Sequence, residues 1–131
     1  MKECYDHKGK VLTCGNGGSA SDREHIVGGL MKGFILKRAI PQKDRQKLEA
    51  LYPDSAQYLA DNLQGALPAI SLVSQTSISS AFINDAAPHM VFAQQVYGYA
   101  DKNDVLIGLS TSGNSKNIIN AVKPIWSGRN A

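Results

Sequence analysis

Ser110, Thr111, Ser112 and Ser115 place four hydroxyls within six positions, with Gly113 and Asn114 between them. A phosphate takes converging donors without bulk, and a helix start just after such a loop adds free N–H groups and a favourable dipole. Gly113 permits close approach of the backbone. The other reading is an ordinary Ser/Asn-rich turn in which Ser115 caps the next helix. Composition alone leaves both open.

A second loop, Gly15-Asn16-Gly17-Gly18-Ser19-Ala20, satisfies the G-x-G-x-x-A dinucleotide pattern. Its acidic partner should end a second strand about 20 residues later. That region reads Leu36-Lys37-Arg38-Ala39-Ile40-Pro41, with no suitable Asp or Glu. A P-loop is excluded because no Gly-Lys-Ser/Thr follows, and Gly108-Leu109-Ser110-Thr111-Ser112 lacks the last glycine of a nucleophile elbow. Cys4 and Cys14 form neither a metal-type spacing nor a disulfide framework, and Cys14 ends an apolar run as an inert buried thiol. His7 lies in a polar terminus and reads as solvated; His89 reads as a cap-region residue ahead of a helix.

Three repeats of apolar run, small-residue turn and helical pattern position these loops. Val11-Leu12-Thr13-Cys14 leads into the first loop, and a helix from about Ser21 carries Ile26, Val27, Leu30, Met31 and Phe34. Ser19, Ser21 or Asp22 can cap it. Ala69-Ile70-Ser71-Leu72-Val73 begins the second unit, with one helix ending near Asn84-Asp85 and another from about His89 to Tyr97. Val105-Leu106-Ile107-Gly108-Leu109 begins the third, followed by a helix through Ile118, Ile119 and Val122. Apolar runs alternating with helical patterns predict an α/β fold, a parallel sheet flanked by helices with about three strands recognisable. Residues 37–64 differ in texture, charged and polar, and read as an insertion of one or two surface helices punctuated by Pro41 and Pro53. The chain is thus expected to be a single domain over 1–131 with that insertion.

The hydrophobic fraction of 43% and charged fraction of 19% suit a globular core. Net charge is 14 − 11 = +3 without a basic run, so neither a nucleic-acid partner nor a membrane partner is expected. No apolar stretch serves as a signal peptide or a span, which makes the cytoplasm the expected compartment.

Cys14-Gly15-Asn16-Gly17-Gly18-Ser19-Ala20-Ser21-Asp22, with His25 six residues after Ser19, resembles the first signature of the phosphoheptose isomerases of the SIS (sugar isomerase) family. Leu67-Pro68-Ala69-Ile70-Ser71-Leu72 and Asn84-Asp85 are similar to their middle section, and 104–115 matches their phosphate loop almost throughout. The likeness runs from about 11 to 123, apart from the insertion. It implies a SIS fold in homo-oligomers, dimers or tetramers, that bind a sugar phosphate and turn sedoheptulose 7-phosphate into D-glycero-D-manno-heptose 7-phosphate. On that resemblance Ser110, Thr111, Ser112 and Ser115 hold the phosphate; Asn16, Gly17 and Ser19 line the sugar site; and Asp85 lies close to it. His25 takes the place of a histidine that helps bind zinc.

The chain departs from that pattern at the base. The family's glutamate, four residues after the histidine and on the same helix face, is here Gly29, preceded by Gly28. Catalytic residues are therefore unassigned. Glu24 is a possible stand-in, but it points about 100° away around the helix from His25; its other reading is a solvated face residue. Two mid-helix glycines cost roughly 1 kcal/mol each against alanine. Only about ten polar residues precede Val11, and Pro124 interrupts the family's last helix. The late glutamine and histidine are not seen, so the zinc ligand set is incomplete. This implies a partial SIS domain: a truncated or frame-altered product, a fragment dependent on association, or a natural short variant. Two functions fit, an isomerase or a non-catalytic SIS module acting through protein contacts, like the relative that associates with the bacterial replication initiator.

Overall fold

The computed structural model describes residues 1–123; Trp126 and the Pro124 break lie outside the described residues. Three strands form one parallel sheet in the order β2-β1-β3: β1 (Val11–Gly15), β2 (Ala69–Ser71) and β3 (Val105–Leu109). Val11 pairs with Ala69 on one side and with Val105 on the other. The fold is the expected α/β class.

The chain forms two compact units. The first holds the sheet with α1 (Lys2–Asp6), the start of α2 (Gly18–Met31), α5 (Thr76–Asp85), a 3-10 turn at Pro88–Met90, α6 (Val91–Tyr99) and α7 (Lys116–Val122). β1, the central strand, is buried along its whole length. Its period-two alternation turns Leu12 and Cys14 into a core with Leu72, Val91, Phe92, Val96, Ile118 and Ala121. Burying each of the large side chains here is worth about 1.5–3 kcal/mol, and that favourable term fixes α6 and α7 on this face. At the amino ends of the strands, Asp104 joins β1 to β3. Its carboxylate, 1% exposed, accepts the Lys10 backbone N–H at 2.8 Å, the Lys10 ammonium at 2.5 Å and the Asp101 N–H at 2.7 Å.

The second unit, Gly28–Leu67, pairs α3 (Gln42–Leu51) with α4 (Ala56–Asn62). Pro41 stands at the N-cap of α3, and Arg45 reaches the Ala60 carbonyl at 3.2 Å and Asp61 at 3.1 Å. Arg38 donates to the Gly65 carbonyl at 2.7 Å and the Leu30 carbonyl at 2.6 Å, closing the loop that precedes α3.

Three local readings are corrected. The first helix starts at Gly18 rather than near Ser21, because Gly17 takes φ +53° and the Ala20 N–H already bonds the Gly17 carbonyl at 3.0 Å. Ser19, Ser21 and Asp22 thus lie inside the helix instead of capping it. Phe34 falls outside it: α2 stops at Met31, and Phe34, Ile35 and Leu36 are 93%, 87% and 79% exposed. Gly33 sets that break, since a Cβ there would sit 2.2 Å from the Leu36 carbonyl oxygen. The polar start of the chain also holds a helix, α1, whose Cys4 is buried and bonds the Lys10 carbonyl through its thiol at 3.5 Å. His7 is exposed as expected, its Nδ1 2.8 Å from the Glu3 carbonyl oxygen. No described helix is long and apolar enough to cross a membrane.

Candidate functional site

The strand order decides where a ligand can enter. From β1 the chain crosses to β2 on one side and then to β3 on the other. In open parallel sheets ligands bind beyond the carboxyl ends of the strands where the direction of crossing reverses, which here lies between β1 and β3. Both small-residue loops lie there, at 15–19 after β1 and at 110–115 after β3.

Within 110–115 three hydroxyls gather. Ser110 Oγ lies 2.9 Å from Ser115 Oγ and 3.4 Å from Ser112 Oγ, which also accepts the Asn114 N–H at 3.2 Å. Gly113, at φ +67°, makes the turn between Ser112 and Ser115, each of which bonds Ser110. Ser115 occupies the N-cap position of α7 but makes no side-chain cap bond. Its hydroxyl turns into the loop instead. Thr111 is exposed and makes no side-chain hydrogen bond among the described residues.

The two loops are joined directly. Asn16 Nδ2 donates to Asn117 Oδ1 at 3.0 Å, and Asn117 Nδ2 donates back to Asn16 Oδ1 at 2.8 Å. Asn16 and Gly17 are exposed; Ser19 is half-buried in the first turn of α2. Gly15 is required by close packing, because a Cβ there would stand 2.9 Å from the Ser19 carbonyl oxygen. A second bridge ties α2 to the loop after β2: Ser74 Oγ donates to Glu24 Oε1 at 2.6 Å. Glu24 is exposed on the helix surface, tied to that loop by this one bond. Asp85 is the last residue of α5, exposed and bonded by Asn84 Nδ2 at 2.7 Å. The helix carries it about 14 Å from its own start beside β2, at 1.5 Å per residue.

His25 is exposed on α2. Among the described residues no three His, Cys, Asp or Glu side chains group to hold a metal ion. The described residues do not by themselves fit a zinc site, which takes three or four protein ligands. Burial pushes the Cys14 thiol up to about 11, with the charge of Arg23 offsetting part of the rise. Cys14 is thus an inert core thiol. Arg23 itself is fully buried on α2, and none of its three guanidinium nitrogens has a hydrogen-bond partner among the described residues. Burial lowers its pKa, opposed by Asp22 and Cys14.

Asn117 went unread in the sequence, where Lys116-Asn117 is an unremarkable polar helix start. Its only signal is the amide two residues beyond Ser115, facing a loop 101 positions earlier in the chain.

No protein-family model matches the chain. It is 40% identical over 119 residues to the phosphoheptose isomerase of Helicobacter pylori, covering 91% of this chain and 48% of that protein. A Nitratiruptor phosphoheptose isomerase is 38% identical over 121 residues, with 92% and 51% covered. Two solved phosphoheptose isomerases share the fold. That of Neisseria gonorrhoeae gives a TM-score of 0.64 at 34% identity, over 92% of this chain and 48% of that one. That of Francisella tularensis gives 0.69 at 29%, over 93% and 50%. In sequence and fold together, the chain is similar to the phosphoheptose isomerases, and it spans about half the length of the relatives it matches.

Proposed function

We propose that the chain binds a phosphorylated sugar, with Ser110, Thr111, Ser112 and Ser115 around the phosphate and Asn16, Gly17 and Ser19 against the sugar. The ligand class is that of its relatives, and the family reaction is the isomerisation of sedoheptulose 7-phosphate to D-glycero-D-manno-heptose 7-phosphate. One observation carries the reading: Ser115 stands where a capping serine would, yet its hydroxyl leaves the helix uncapped and joins Ser110 at 2.9 Å. A serine serving only to start α7 would bond the N–H groups of its first turn. Hydroxyls gathered beside a glycine turn at the switch point suit an oxyanion instead.

Isomerisation through an enediol needs a base beside the carbonyl carbon. Position 29 offers no proton acceptor, and Glu24 points about 100° around the helix from His25, with Ser74 bonded to one of its carboxylate oxygens. Binding without turnover is therefore the expected behaviour of these 131 residues. The same glycine favours the second reading, a non-catalytic module acting through protein contacts. Assembly into dimers or tetramers belongs to the proposal and is read by light scattering.

Calorimetric titration with sedoheptulose 7-phosphate tests the binding. A Ser110→Ala, Ser112→Ala double variant is expected to bind at least about tenfold more weakly, from the loss of two hydrogen bonds to a charged group. Equal binding by both proteins, or none by either, would remove the phosphate reading.

A further inference from the structure

The reciprocal amide pair between the loops does more than hold them together. Asn117 Oδ1 receives two N–H groups, from Asn16 Nδ2 at 3.0 Å and from the backbone of Ile118 at 3.0 Å. The Ile118 N–H is shared between Asn117 Oδ1 and the Ser115 carbonyl, also at 3.0 Å, and an amide NH2 in place of that Oδ1 would face it donor to donor. That backbone donor fixes which end of the Asn117 amide is oxygen. With Asn117 fixed, the orientation of Asn16 follows: its nitrogen must face Asn117 Oδ1, and its oxygen must face Asn117 Nδ2 at 2.8 Å. A flipped Asn16 would set N–H against N–H and oxygen against oxygen.

Each amide has four hydrogen-bonding positions, and the pair consumes two of Asn16's. One N–H and one lone pair of Asn16 remain, on an exposed side chain just beyond the carboxyl end of β1. They lie on opposite flanks of the amide, away from the edge that faces Asn117, so Asn16 offers a donor to one sugar hydroxyl and an acceptor to another. The order of dependence runs from the start of α7, through Asn117, to the atoms Asn16 presents.

We propose that Asn117 is a positioning residue for the sugar side of the site, acting through Asn16 and not through the phosphate. The inference rests on the sugar-phosphate reading above. It assigns Asn117 to recognition of the hydroxyl-bearing part of the ligand, while the serine loop recognises the anion.

The test is a double-mutant cycle read with two ligands, sedoheptulose 7-phosphate and inorganic phosphate, on the full chain. Asn117→Ala is expected to weaken the sugar phosphate about 5- to 10-fold, the scale of one or two neutral hydrogen bonds. Inorganic phosphate binding should change by less than about twofold. Asn16→Ala should show the same selectivity, and Asn16→Ala with Asn117→Ala should be no worse than Asn16→Ala alone. Asn117→Ser keeps an acceptor beside the Ile118 N–H but is too short to reach Asn16. A purely structural Asn117 would be rescued by that serine; a positioning Asn117 would not. Equal losses for both ligands, multiplying effects in the double variant, or rescue by serine would each overturn the proposal. Wild type binding inorganic phosphate but not the sugar phosphate would overturn it too. Wild type binding neither ligand would fell the underlying reading with it.

Discussion

Replacing Gly29 tests whether the missing carboxylate is a matter of space or of chemistry. An ideal Cβ built at Gly29 meets nothing within 4 Å, and the same holds at Gly28. Both residues lie inside α2, and neither takes a positive φ. Alanine therefore creates no clash and removes the backbone entropy that glycine loses on folding, a gain of about 1 kcal/mol at each site. Glutamate gives up part of that to side-chain ordering, so Gly29→Glu should gain roughly 0.5 kcal/mol. The sites are adjacent but share no neighbour, so Gly28→Ala with Gly29→Ala should approach about 2 kcal/mol. Urea denaturation followed by far-ultraviolet circular dichroism reads these values from the midpoint at constant slope. A loss of about 1 kcal/mol or more in Gly29→Ala would refute the reasoning, because some group must then occupy the space that looks open. Gly29→Glu tolerated at this cost would mean that the fold itself does not forbid the family's base.

Asp104→Ala strips three hydrogen bonds from a buried carboxylate site and leaves Lys10 without its partner. The expected loss is about 3 kcal/mol, the lower end for breaking a buried pair because Lys10 is partly solvated; a loss below about 1 kcal/mol in chemical denaturation would contradict the clamp. Cys14 makes stability fall in alkali. Its folded pKa of about 11 exceeds its ordinary 9.0, so between those values the unfolded chain sheds a proton that the folded chain keeps. Stability from this group should drop by about 2–3 kcal/mol across that window. Cys14→Ala should lack that component, and parallel curves for the two proteins would rule it out. Arg23→Met replaces a buried guanidinium that has no hydrogen-bond partner among the described residues with an apolar chain of similar reach. It should leave stability unchanged or raise it by about 1–2 kcal/mol, whereas a loss beyond about 1 kcal/mol would show that the charge of Asp22 offsets the burial of Arg23.

The three strands were legible because each is a short apolar run closed by small residues, and β1 shows the buried character that such a run implies. The α3 and α4 pair was legible from its polar texture and the two prolines. The helix start at Gly18 was not: glycine is a poor helix former, and its place there depends on the turn made by Gly17. Phe34 kept the helical spacing of Ile26 and Leu30, but Gly33 packs against the Leu36 carbonyl and ends the pattern before it. Local periodicity carries no record of such a contact. In the site, residue types were legible and partners were not. Ser115 reads equally well as a cap or a ligand until its hydroxyl is located. Glu24 with Ser74, and Asn16 with Asn117, are separated by 50 and 101 positions, and no local pattern links residues so far apart.

The most direct measurement is a crystal structure of the chain soaked or grown with sedoheptulose 7-phosphate. The phosphate is expected within hydrogen-bond distance of the hydroxyls of Ser110, Ser112 and Ser115, with the sugar directed towards Asn16. A sugar phosphate bound elsewhere, with those three serines still bonded only to one another, would contradict the account.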